Sequence, residues 1–184
     1  MKDNSKLDPF VIIKKFYQKE TKLYHILITH SNQVKDKALG VAEKHPELQL
    51  NKTFLEEAAL LHDIGIFLCY APDIYCYGTH QYIEHGYLGA DLLRKEGLPL
   101  HALVAERHTG IGFTKEIIIK EKLPLPHRDM VPTSLEEQVI CYADKFFSKS
   151  KLTTSYTVEE IREYLKKYGP SHVEKFDEWH ARFK

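Results

Sequence analysis

The stretch AALLHDIGIF, residues 58–67, sets a histidine beside an aspartate inside an otherwise apolar run. Leu55, Ala58, Ala59, Leu61 and Ile66 recur at steps of roughly three and four residues, the period of a helix with one buried face. On such a helix His62 and Asp63 differ by about 100° around the axis, so one of them lies near the buried face. A buried imidazole or carboxylate costs free energy unless it is hydrogen-bonded, paired or bound to a metal. The pair therefore needs a partner from elsewhere in the chain.

Working outward, almost every segment reads as helix. After Asp8-Pro9, a helix start, comes FVIIKKFYQKE (10–20), then KLYHILITHSNQVKDKALGVAEKH (22–45), which stops at Pro46. The helix carrying the His-Asp pair runs over 52–67 with Thr53 as its N-cap. Residues 68–79, LCYAPDIYCYGT, form an aromatic-rich loop broken by Pro72 and Gly78. Helices follow over 80–97, closed by Gly97, and over 99–110, from Pro99 to Gly110. A short helix covers TKEIIIKEK (114–122), and Ser134 with Glu137 forms a capping box for LEEQVICYADKFFSKS (135–150). Two amphipathic helices, TVEEIREYLKKYG and SHVEKFDEWHARF, come last. No strand pair with a hairpin turn and no internal repeat is visible. The predicted class is all-α, a single domain of packed helices.

The 184 residues suffice for one sizeable core and hardly for two. Lys+Arg and Asp+Glu balance at 26 each, which argues against generic nucleic-acid binding, since that needs a basic face. No apolar run approaches the ~18 residues of a membrane span. The opening MKDNSKLDPF is polar and lacks the apolar core of a signal peptide. Cys69, Cys76 and Cys141 are odd in number and show no zinc or redox spacing, so a cytoplasmic location is expected. Histidine is the outlier at 11 residues, with no tract at either end.

Candidate ligands sit inside predicted helices, each a single polar residue among apolar neighbours: His30 in ILITHSNQV, the His62-Asp63 pair, His85 in YIEHGYLGA, His108 in LVAERHTG and Asp144 in VICYADKFF. Gly86 and Gly89 beside His85 allow close packing. Imidazoles and carboxylates without a thiolate suit iron, manganese, zinc or cobalt rather than calcium or an iron–sulfur cluster.

The order His30, His62-Asp63, His85, His108, Asp144, with HDIG at 62–65, resembles the HD-domain superfamily of metal-dependent phosphohydrolases and its HDIG subgroup. THQYIEHGYLGADLLRKEGLP, AERHTGIGFTKEI and LEEQVICYADKF are similar to an uncharacterised prokaryotic HDIG branch. The resemblance implies an HD-type helical bundle over 22–150, with helical extensions at 1–21 and at 151–184, the latter packed on the same domain. It implies that His30, His62, Asp63 and Asp144 hold one divalent metal. His85 and His108 would complete a second site, with Asp63 bridging; their other reading is as pocket residues around a single ion. A metal-activated hydroxide would attack the phosphorus of a nucleotide or related small phosphate ester.

A phosphorylated substrate needs cations, and Arg107 and Lys145 adjoin ligands. Lys149 and Lys151 read better as a solvated helix end, and Arg94 as a surface charge. His80 has equal claims to a pocket rim and to a phosphate contact, whereas exposure suits His101. His25, His45, His127, His172 and His180 carry no expected chemistry. The 68–79 loop, with Tyr70, Tyr75 and Tyr77, is a lid or base-stacking surface in one reading and an ordinary packed loop in the other. Phe176 and Trp179 belong to core or interface. Two other functions share these residues: a di-iron oxygenase of the same fold acting on a polyol or phosphonate, and a noncatalytic nucleotide-binding module.

Overall fold

The computed structural model describes residues 7–184, so the first six residues of the expected N-terminal extension lie outside the described residues. Nine α-helices are present among them: α1 (Pro9–Ile13), α2 (Lys22–Lys44), α3 (Lys52–Leu61), α4 (His85–Lys95), α5 (Pro99–Arg107), α6 (Lys115–Lys120), α7 (Leu135–Asp144), α8 (Val158–Lys166) and α9 (Pro170–Phe183). The fold is a single-domain helical bundle. α2 packs against α3 and α7, α4 pairs with α5, and α8 pairs with α9, which rests on α7.

The helix starts follow local chemistry. Asp8, Thr21, Thr114 and Thr157 each accept a hydrogen bond from a first-turn amide. Ser134 and Glu137 make the predicted reciprocal box. For α3 the cap is Asn51 rather than Thr53: the Asn51 side chain accepts from the Phe54 amide at 3.1 Å, and Thr53 lies inside the helix.

Four expectations about elements are corrected. α1 ends at Ile13, so the helix foreseen over 10–20 is only one turn and a half. α3 ends at Leu61, and His62 to Gly65 form a turn, so the His-Asp pair stands at a helix terminus rather than within one. The segment before His85 is a separate 3-10 turn, Tyr82–Glu84, which makes His85 the first residue of α4. Residues 68–79 hold a small antiparallel hairpin, β1 (Tyr70–Ala71) with β2 (Cys76–Tyr77), paired Tyr70 to Tyr77 and Ala71 to Cys76. Two-residue strands are too short to show the alternation by which strands are read.

One core cluster joins α2, α3 and α7 to the C-terminal pair through Val34, Val139, Leu165, Phe176 and Trp179; Phe176 and Trp179 are buried there. A second lies beneath the HDIG turn, where Ile13, Leu27, Leu61, Ile64 and Leu93 meet. The ligand helices are thus clamped from both sides.

Candidate metal centre

Two groups of buried side chains offer converging ligand atoms, one of His30, His62, Asp63 and Asp144, the other of Asp63, His85 and His108; within each the atoms lie within 4.8 Å of one another. Each ligand reaches this point for a local reason. His30 sits mid-α2 on the face that buries Leu27 and Val34. His62 caps the end of α3, and Asp63 follows in the turn. The Tyr17 hydroxyl donates to the Ile64 carbonyl at 2.8 Å and holds that turn on the core. Gly65 lets α4 approach: a Cβ there would stand 2.5 Å from the amide nitrogen of Gly89. Gly86 does the same against α5, where a Cβ would be 2.7 Å from the Ala105 carbonyl oxygen. These contacts bring the start of α4, and with it His85, onto Asp63.

The imidazoles are oriented from behind. Nδ1 of His62 lies 2.6 Å from the Ala59 carbonyl, Nδ1 of His85 2.5 Å from that of Tyr82, and Nδ1 of His108 2.8 Å from that of Ala105. A carbonyl oxygen only accepts, so each Nδ1 carries the proton and each neutral ring turns a bare Nε2 lone pair into the site. Nε2 of His85 and Nε2 of His108 face each other at 3.0 Å. Two lone pairs at that distance call for a cation.

Asp63 is shared between the groups. Its Oδ2 lies 3.2 Å from Nε2 of His30 and 3.1 Å from Nε2 of His62. Its Oδ1 lies 3.2 Å from Nε2 of His85 and 3.3 Å from Nε2 of His108. Despite these distances, neither carboxylate oxygen nor Nε2 of His62 has a partner in hydrogen-bonding geometry. The atoms are aimed at common points rather than at one another. Nε2 of His30 is 2.9 Å from Oδ1 of Asp144, which closes the first group. Orphaned, fully buried nitrogen and oxygen donors arranged in this way fit divalent metal ions.

The electrostatics agree. Burial opposes a charge on His62, yet without a bound cation Asp63 and Asp144 override it and raise its pKa to about 9, so a proton on Nε2 then occupies the place that a metal ion would take from the neutral ring. Burial holds His108 down to about 4, against the pull of Asp63. Burial also opposes ionisation of Asp63 and Asp144, but the charge of His62 and Lys149 on the one, and of Lys145 and Lys149 on the other, holds both well below the usual carboxylate range. Two ionised carboxylates at full burial require positive charge beside them.

Among the sequence-predicted cations, Lys145 reaches the site: its Nζ is 2.8 Å from Oδ2 of Asp144 and donates to the His108 carbonyl at 3.2 Å. Arg107 does not. Its guanidinium donates to Thr133 and Glu137, both at 2.9 Å, and the residue is not part of the cavity wall. Lys149, read from sequence as a solvated helix end, is instead in the site, with Nζ 2.6 Å from Oδ2 of Asp63. Asp63 outweighs burial and raises the Lys149 pKa, as Asp144 does for Lys145, so both ammonium groups stay charged. Lys151 is exposed.

His80 pairs with Glu84 at 3.2 Å and does not line the cavity. His101, expected to be exposed, is buried against Phe54 with Nε2 3.2 Å from Glu57. Arg94 is more than a surface charge: it bonds Glu106 at 2.6 Å, and Arg128 bonds the same carboxylate. Of the 68–79 segment, Ala71, Asp73 and Ile74 line the cavity, whereas Tyr70 and Tyr77 point to solvent at 62% and 69% exposure. Tyr75 is held outside by Lys22, whose Nζ lies 4.8 Å from the ring centre.

The HD domain family model matches residues 27–148. An uncharacterised protein of Methanocaldococcus jannaschii is 36% identical over 135 residues, covering 73% of this chain and 71% of that protein. The tRNA (cytidine(56)-2'-O)-methyltransferase of Thermoplasma volcanium is 33% identical over 126 residues, 68% of this chain and 32% of that enzyme. Its namesake from Picrophilus torridus is 30% identical over 128 residues, 69% of this chain and 33% of that enzyme. The chain thus spans about a third of the length of these two methyltransferases. The crystal structure of the HD domain of the L. monocytogenes phosphodiesterase PgpH superposes with a TM-score of 0.54 at 18% identity, over 91% of this chain and 94% of that one, and shares the fold. With the family model covering more than half its length and the His/Asp clusters built within that span, this chain belongs to the HD-domain family of metal-dependent phosphohydrolases.

Proposed function

We propose that the chain is an HDIG-type enzyme that hydrolyses a nucleotide or a related small phosphate ester in the cavity above the two ligand groups. In this reading His30, His62, Asp63 and Asp144 hold one divalent ion, and His85 and His108 hold a second with Asp63 between them. Divalent ions bound there supply Lewis acidity and an activated water nucleophile. The observation that carries the reading is the arrangement around Asp63, whose two oxygens face the Nε2 atoms of two different pairs of imidazoles.

The protein's own contribution is orientation and charge. The carbonyls of Ala59, Tyr82 and Ala105 fix three imidazoles in one tautomer and one direction, so no reorganisation is needed when the substrate arrives. Lys145 and Lys149 line the cavity as buried, protonated ammonium groups beside the carboxylates, which supports a role in receiving a phosphoryl group there. They offset negative charge as the phosphorus–oxygen bond breaks. Tyr82, stacked on the His85 ring with centroids 4.7 Å apart, closes the site from one side. Arg107 acts as a positioning residue that ties the end of α5 to the start of α7. The three buried free thiols fit a cytoplasmic location.

The test is turnover under nitrogen, with the protein loaded separately with zinc, manganese and iron and offered a panel of nucleoside mono- and diphosphates and simple phosphate esters. Release of phosphate or nucleoside monophosphate with a redox-inert metal is the expected result. Strict dependence on iron and dioxygen, without phosphate release, would replace the hydrolase by the oxygenase.

A further inference from the structure

The ligand groups open into a cavity of about 620 Å³. His85, His108, Asp144, Lys145 and Lys149 contribute to its walls, and so does a set of residues from beyond the family-matched span: Tyr156, Tyr164, Lys167 and Tyr168. The second set comes from the segment leading into α8 and from the end of that helix. α8 has one stripe committed to packing, where Ile161 and Leu165 are buried in the core. Tyr164 lies on the adjoining face of α8, and Lys167 and Tyr168 stand in the turn that follows the helix.

This second set is built differently from an ordinary packed surface. Tyr164 is 51% exposed and absent from the core clusters. Its hydroxyl lies 3.2 Å from that of Tyr168, and the two rings meet edge to face at 5.8 Å. Nζ of Lys167 stands 3.6 Å from the centre of the Tyr164 ring and 4.8 Å from that of Tyr168. Tyr168 is anchored from behind by Phe113 and His172. The result is an aromatic corner with an ammonium group over the face of Tyr164, in the same cavity as the converging His/Asp groups. A sugar or alkyl ester would leave the aromatic faces without a matching partner. A planar, electron-rich ring fits both features.

We propose that the C-terminal helix pair supplies the specificity wall of the site: the exposed ring of Tyr164 stacks the nucleobase of a nucleoside phosphate on the face that Lys167 leaves open, Tyr168 braces that ring edge to face, and the Lys167 ammonium favours an electron-rich base there. The proposal rests on the phosphohydrolase reading only in placing the phosphate end at the ligand cluster.

The experiment compares binding of three non-hydrolysable probes to the metal-loaded protein by calorimetry: adenosine 5′-phosphonate and uridine 5′-phosphonate on one side, methylphosphonate on the other. The base-bearing probes should bind at least about tenfold tighter, within the roughly 5- to 150-fold range that base stacking on an aromatic side chain spans, and Tyr164→Ala should remove most of that advantage. Lys167→Ala should reduce it about tenfold. Methylphosphonate affinity and melting temperature should stay unchanged in both variants, which separates loss of a subsite from loss of fold. Equal binding of the nucleoside phosphonates and methylphosphonate by the unaltered protein would overturn the proposal, as would an advantage that survives Tyr164→Ala. Because the readout is binding, it judges the wall whether or not any ester is turned over.

Discussion

Asp63 and its neighbours show how few atoms decide the chemistry. The aspartate serves both ligand groups only because Gly65, two residues on, allows the backbone of α4 to pass against the turn. Gly65→Ala is expected to destabilise the fold by about 1–3 kcal/mol or more through overpacking, and to weaken metal binding by pushing His85 away from Asp63. Chemical denaturation together with metal titration checks this; unchanged stability and affinity would contradict the close approach. Lys145→Ala and Lys149→Ala should each lower kcat/KM by about tenfold or more, corresponding to a lost charge-assisted contact of roughly 1.5–3 kcal/mol, with metal content retained. The six residues of the two converging groups were legible in the sequence because they are polar residues among apolar neighbours in the order that the family resemblance implies. The second cation was not: Arg107 adjoins His108 while Lys149 lies five residues past Asp144, and only the packed backbone shows that the distant one turns inward and the adjacent one outward.

Elements were legible where capping chemistry and long apolar periods agree, as at Ser134 with Glu137 or along α2. They were not legible where tertiary packing ends a helix early, as at Ile13 and Leu61, or builds two-residue strands. The α8 wall was equally hidden, since its tyrosines share a cavity with His85, His108 and Asp144 only through packing distant in sequence. The joint between α5 and α7 depends on Arg107, whose Glu137 partner is buried. Arg107→Ala should destabilise the protein by about 1–3 kcal/mol by leaving that carboxylate short of a donor, with a smaller effect on kcat than either lysine variant. α9 places His172 between Phe113 and Tyr168, where burial lowers its pKa. The unfolded chain then takes up a proton below about pH 6.5 that the folded chain refuses, so this contribution is complete above that pH and is lost as pH falls below it. Melting curves between pH 7.5 and about 5 should show a smaller decline for His172→Phe than for the unaltered protein; identical slopes would remove His172 from the account.

For the whole molecule, the ligands come from α2, the end of α3, the start of α4, the end of α5 and α7, so bound ions would tie together segments 114 residues apart in sequence. Anything bound only by the folded state stabilises it, by about 2.7 kcal/mol at a hundredfold excess over Kd. At roughly 2–4 °C per kcal/mol for a chain of this size, chelation should lower Tm by roughly 5–10 °C, and metal should restore it. An unchanged melting curve after verified metal removal would contradict this. The central claim is that one aspartate is shared by two metal ions held by two pairs of histidines. Elemental analysis of the protein and of the His85→Ala/His108→Ala double variant, with folding checked by circular dichroism, tests it most directly. The account predicts two equivalents of metal per chain in the first and one in the second; two equivalents retained in the folded double variant, or one in the unaltered protein, would contradict it.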